Sequence, residues 1–201
     1  MKKIIITFSI VFLFVGTGFA QSNLFGVGWE INIPNNNNFL SKTSYAGGKL
    51  EYRHFIKKNL SVGVAVNWAY YDQYLPRQTF QKPDGNGAVT GDFVAQVFQL
   101  PLTATVHYYF HPGKTIKPYV GVGLGGQYMG QSLYYNVYVS EDNNWGFVAR
   151  PELGAIIKPA KFDSWGILLA ANYSYSTNKT ALINSDSFQN IGFTIGVVFG
   201  Q

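Results

Sequence analysis

Between Gln99 and Tyr128 the chain alternates with a period of two on both sides of a short polar turn. Before the turn, Leu100, Leu102, Ala104, Val106, Tyr108 and Phe110 share one face, opposite Pro101, Thr103, Thr105, His107 and Tyr109. After it, Val120, Val122 and Leu124 oppose Gly121, Gly123, Gly125 and Gln127. Successive side chains of a strand point to opposite faces, so two such runs joined around Pro112-Gly113 predict an antiparallel hairpin. One row is apolar and ends in aromatics; the other is small or polar. That pairing suits a wall with lipid outside and a narrow wet lumen inside, the reverse of a water-soluble barrel.

The same alternation recurs along the chain. Phe25, Val27, Trp29, Ile31 and Ile33 would face lipid, with Gly26, Gly28, Glu30 and Asn32 inward. Leu50 and Tyr52 oppose Lys49, Glu51 and Arg53, and the row Leu60 to Tyr70 opposes Ser61, Gly63, Ala65, Asn67 and Ala69. Phe147 to Ile157, Trp165 to Tyr175 and Phe188 to Phe199 complete the set, and the first strand of the central hairpin is expected to begin near Phe93. About eight strands result, an even number as membrane barrels require. Long links are expected after Ile33, Tyr70, Tyr128 and Tyr175, and short ones after Phe55, Phe110 and Ile157. With both termini in the periplasm, every short link is periplasmic and every long one extracellular. Tyr52, Tyr108, Phe110, Tyr119, Trp165 and Phe199 would then form a periplasmic aromatic girdle, and Trp68, Tyr70, Tyr128, Tyr173 and Tyr175 an extracellular one. No charged residue falls on the lipid rows between them, where one at the midplane would cost roughly 2–4 kcal/mol.

Composition narrows the alternatives. Only 12% of the 201 residues are charged and 17% are aromatic, and there is no cysteine. Neither disulfides nor a thiolate metal site can form. Lys2 and Lys3, the apolar run Ile4 to Val15 and the exit Gly18-Phe19-Ala20 have the layout of a secretory signal cleaved after Ala20. Residues 1–20 are thus the signal and 21–201 one all-β domain. Cleavage reduces the 15 basic residues to 13 against 10 acidic, a net charge of +3, too mild to argue for nucleic acid.

The segments Leu100-Pro101-Leu102, His107-Tyr108-Tyr109-Phe110 and Lys117-Pro118-Tyr119-Val120-Gly121-Val122-Gly123-Leu124-Gly125 resemble the middle of small outer-membrane barrels of the porin-like, opacity and OmpA/OmpW-type family. The resemblance implies an eight-stranded antiparallel up-and-down transmembrane barrel in a Gram-negative outer membrane. It also implies a terminal strand read by the assembly machinery. That strand usually ends on Phe, whereas here Gly200 and Gln201 follow Phe199.

Candidate chemistry is sparse. Gly121-x-Gly123-x-x-Gly126 matches a dinucleotide fingerprint, but no helical period follows to hold a pyrophosphate, so no cofactor is expected. His54, His107 and His111 all fall toward the periplasmic ends, away from any outer-leaflet Ser–His–acid triad, so no catalytic or metal site is assigned. A soluble lipocalin-like carrier would need the glycine-rich face outside. The inward charges Glu30, Lys49, Glu51, Arg53, Arg150 and Glu152 are three of each sign, and predict an ion-pair network filling the lumen. The segment Tyr71 to Asp92, with Tyr71, Tyr74, Arg77 and Phe80, is the expected extracellular contact loop for an external ligand or host surface. The primary reading is a structural or surface-contact barrel, not an enzyme, embedded in outer-membrane lipid. The alternatives are a narrow channel or lateral route for small or hydrophobic solutes and, further off, a lipid-modifying enzyme.

Overall fold

A computed structural model describes residues 23–35, 40–81, 87–112, 114–135, 138–158, 164–179 and 186–200. The expected signal, residues 1–20, lies outside them. Eight strands are formed: β1 (Asn23–Asn35), β2 (Ser44–Lys57), β3 (Leu60–Gln81), β4 (Ala88–Tyr109), β5 (Ile116–Tyr135), β6 (Tyr138–Ile157), β7 (Trp165–Ser176) and β8 (Phe188–Gly200). Each pairs antiparallel with the next, and β8 returns to β1, so the sheet closes without a free edge. Across the central hairpin Val106 stands opposite Val122 and Thr105 opposite Gly123.

The lipid-facing rows emerge as alternation dictates. Phe25, Val27, Trp29, Leu102, Val106, Val122, Leu124, Phe193 and Ile195 are all exposed large apolar side chains. Gly63 and Gly125 keep the wall thin, since a Cβ there would overlap the carbonyls of Tyr52 and Leu102. On the outer face Trp68 lies over Gly48, covering the gap that a missing side chain leaves in a strand.

Strand length departs from expectation. Spanning needs about 9–11 residues, and β1, β2, β7 and β8 have 12 to 14, but β3 and β4 have 22 each and β5 and β6 have 20. Segments 71–92, expected as a loop, and 131–144, expected as a loop within which Tyr134 to Val139 could extend the strands, are therefore mostly hydrogen-bonded strand. Tyr71 pairs Val97, Phe80 pairs Val89, and Tyr135 pairs Tyr138.

Alternation changes phase where these strands leave the membrane. In the lower part of β4, Leu102 and Val106 point outward while Gln99, Thr103, Thr105 and His107 are buried inside. Above Phe98 the inward residues become Val97, Ala95 and Phe93, with Gln96 and Asp92 outward. In β5, Met129 and Leu133 point inward against Gly130 and Ser132 outward. Once water surrounds the wall, apolar side chains gain by turning inward, as in a soluble sheet.

The links after β3 and β5 are shortened by this strand extension, whereas those after β1 and β7, between Asn35 and Ser44 and between Ser176 and Phe188, stay long as expected. The β3 extension carries an irregularity between Leu75 and Gln78, at Pro76 and Arg77. Proline cannot donate to a ladder, and the break falls where it sits.

Candidate functional site

The sequence-derived charges converge inside the barrel from opposite walls. Strand β2 supplies Lys49, Glu51 and Arg53, β1 supplies Glu30, and β6 supplies Arg150 and Glu152. They divide into two clusters, each electrically balanced. In the lower, Lys49 Nζ lies 2.6 Å from Glu152 Oε2 and 2.9 Å from Glu51 Oε2. Arg53 Nη2 lies 2.8 Å from Glu51 Oε1 and 3.3 Å from Glu152 Oε1. In the upper, Arg150 Nη2 lies 2.8 Å from Glu30 Oε1 and donates to Asn172 Oδ1 at 2.9 Å. Asn67 Nδ2 donates to the other Glu30 oxygen at 2.6 Å.

Tyrosines complete the lower cluster. Arg53 donates to the hydroxyls of Tyr109 (2.9 Å) and Tyr119 (3.1 Å), and Tyr119 in turn donates to Glu152 at 2.7 Å. The guanidinium carbon stands 4.5 Å from the Tyr119 ring centroid, within cation–π range. Tyr119, expected in the periplasmic girdle, is only 1% exposed and points into the lumen. Its neighbours Val120 and Val122 face lipid, so parity with them already placed it inward. Tyr109, Asn67 and Asn172 likewise lay on inward rows.

Above the charges runs a belt of neutral polar groups. Asn190 donates to Asn32 Oδ1 at 2.7 Å, Gln127 to Ser176 Oγ at 3.0 Å, and Gln99 to the Tyr71 hydroxyl at 2.8 Å. Both ends are apolar. The upper end holds Leu40, Ala69, Tyr71, Leu75, Phe93, Ala95, Val97, Met129, Leu133 and Phe188 as one buried cluster. The lower end holds Leu24, Ile156, Leu168 and Val198 with Tyr109 and Tyr119, and Phe55 packed against them. The sequence suggested a lumen largely filled by polar side chains; the structure keeps these in the middle and closes both ends with apolar clusters.

Glu51, His107 and Glu152 bring carboxylate and imidazole atoms within 4.8 Å of one another, close enough to suggest a metal. Both carboxylates, however, already hold Lys49 and Arg53, and a divalent ion would add two charges beside two cations. The donor set does not fit a metal. His54 contacts Asn23 at 2.8 Å, and His111 is exposed at the turn, so the three histidines do not meet.

The contact residues separate. Tyr71 is 1% exposed and belongs to the upper apolar cluster, which removes it from the contact surface; Tyr74 is 60% exposed and Arg77 is exposed too. Phe80 lies at the end of β3, and its side chain is outside the described residues. Arg77, Val89, Thr90, Gly91, Asp92, Tyr135 and Tyr138 line a cleft of about 720 Å³ at the tip of the extension. There Tyr135 and Tyr138 stack with centroids 5.7 Å apart.

Known proteins agree with this architecture. A family model described as the OmpW family matches residues 50–191. The neisserial surface protein NspA superposes with a TM-score of 0.54 at 16% identity, covering 89% of this chain and 97% of that one. The attachment invasion locus protein Ail of Yersinia pestis, solved with the heparin analogue sucrose octasulfate, gives 0.53 at 13% identity, covering 89% and 98%. No curated protein matches the chain in sequence.

Proposed function

The chain belongs to the OmpW family of outer-membrane barrels, and from that premise we propose that it works as a sealed, non-enzymatic barrel whose extended wall makes contacts outside the cell. The observation that carries this reading is the stacking of seals: an apolar lower stopper, two balanced ion clusters, an amide belt and an apolar cap. Solutes crossing that column would have to break buried ion pairs, at a cost of several kcal/mol.

The lumen charges serve as a plug and as a staple between opposite walls, β2 and β6. Strands β3 to β6 rise beyond the membrane and present Tyr74, Arg77 and the tip cleft to an external ligand or host surface. The signal, residues 1–20, is removed on export, and the β8 strand is offered to the assembly machinery with Phe199 exposed. Reconstitution of the mature protein in planar bilayers tests the plug. The expected result is no steady conductance for wild type and intermittent openings for Arg150→Ala; a stable open channel in wild type would overturn the reading.

A lateral route for small hydrophobic solutes is the second reading, favoured by one feature. The β3–β4 ladder pairs Val66 with Leu102 and Ala69 with Gln99 but skips the positions between, where Pro101 interrupts it. This seam lies just below the apolar cap. Uptake of a hydrophobic dye by vesicles carrying the protein, lost on bridging Trp68 and Leu100 by paired cysteines, would favour it over the sealed barrel.

A further inference from the structure

The exposed charges at the two ends of the barrel differ in balance: both signs mix at the extracellular end, while cations alone stand at the periplasmic end among the described residues. At the extracellular end the described acids outside the lumen are Asp72, Asp92, Glu141 and Asp186, interspersed with the exposed cations Lys42, Arg77 and Lys179. At the periplasmic end no acid stands outside the lumen among the described residues, while Lys57, Lys58 and Lys114 are all exposed.

These lysines share a continuous rim. The Tyr109 amide donates to the Asn59 carbonyl at 2.9 Å, tying the β2–β3 turn to the end of β4. The Lys158 amide donates to Thr115 at 2.7 Å, tying the β4–β5 turn to the next. Each cation is also adjacent in sequence to an apolar anchor: Ile56 precedes Lys57-Lys58, and Ile116 follows Lys114 by two residues. Ile56, Phe110 and Ile116 are 56%, 52% and 54% exposed, and Tyr108 packs edge-on against Phe110 with centroids 5.4 Å apart. Apolar and aromatic anchors seat at the hydrocarbon boundary, which puts the neighbouring ammonium groups at headgroup depth.

We propose that Lys57, Lys58 and Lys114 form a docking rim for the phosphates of anionic phospholipids in the periplasmic leaflet. The exposed apolar anchors Ile56, Phe110 and Ile116 set these lysines at the edge of the hydrocarbon, which favours a lipid over a murein partner. An ammonium near an anionic surface attracts it by about 1 kcal/mol, or about fivefold per site, and salt weakens the attraction.

The test uses mature protein in phosphatidylcholine bilayers doped with spin-labelled phosphatidylglycerol or spin-labelled phosphatidylcholine, reading the fraction of each lipid held immobile at the barrel. Phosphatidylglycerol should be preferred by about fivefold at low salt. The preference should fall toward one in molar salt and in the Lys57→Gln/Lys58→Gln/Lys114→Gln variant, and persist in Lys42→Gln/Lys179→Gln, altered at the far end. Equal association of both lipids with wild type, or a preference that survives the triple variant, overturns the proposal. Lysine-dependent sedimentation with purified murein sacculi, alongside a lipid ratio of one, would assign the rim to murein and overturn it as well. If the triple variant does not fold, the wild-type ratio and its salt dependence decide.

Discussion

Strand β4 obeys two opposite rules along its length. Below Phe98 its apolar residues face outward and its polar ones inward; above, Phe93, Ala95 and Val97 turn in while Asp92 and Gln96 turn out. The backbone runs on as one strand, Ala88–Tyr109, through the change. What changes is the medium outside the wall. Hydrocarbon tolerates no exposed charge and gives apolar side chains no reason to hide, whereas water reverses both preferences. The interior follows in part: the ion pairs lie at the level where lipid surrounds the barrel, and the upper apolar cluster, with Gln131 buried beside it, fills the level that water surrounds.

The largest effect should come from breaking the polar half. Arg53 touches Glu51, Glu152, Tyr109 and Tyr119. Arg53→Ala leaves Lys49 alone against two buried carboxylates, and should destabilise the barrel by about 3–5 kcal/mol. The check is the urea midpoint in detergent, followed by the mobility difference between boiled and unboiled samples. Next come matched charges on the outer face. Val122→Arg, at lipid depth, should cost about 2–4 kcal/mol, whereas Gln96→Arg, above the phase change, should cost close to nothing. Equal losses at both sites would erase the distinction between the two zones. The smallest effect is expected for Tyr74→Ser. This residue is exposed on the extension, so stability should move by less than about 0.5 kcal/mol while any binding of an external partner weakens.

The sequence showed the barrel clearly in the zone where lipid enforces one strict pattern. The rows of Phe25, Leu102, Val122 and Ile195 could be read directly, and so could the inward charges, because their parity was unbroken over the membrane span. Apart from Tyr134 to Val139, which could be read as prolonging the strands beyond the membrane, the extensions escaped notice for a physical reason. A search for outward apolar rows meets Asp72, Gln96, Ser132 and Glu141 above the membrane and reads a loop, although the inward partners Leu75, Phe93 and Leu133 alternate just as regularly. Tyr71 was misplaced by the same slip. Tyr119 was misplaced differently: aromatics at strand ends suggest a girdle, but its parity with Val120 settles its direction. The turn lysines were legible as residues, but their common rim depends on hydrogen bonds between turns far apart in the chain.

Because the chain has no cysteine, the phase change can be measured one position at a time. Single cysteines at Leu102, Val106, Gln96 and Ser132, spin-labelled in reconstituted mature protein, report collision with oxygen, which concentrates in lipid, and with a water-soluble nickel chelate. Labels at Leu102 and Val106 should favour oxygen, and labels at Gln96 and Ser132 the chelate, with the crossover near Phe98. The same preference at all four positions, or chelate access at Leu102 and Val106, would contradict a membrane boundary at that level.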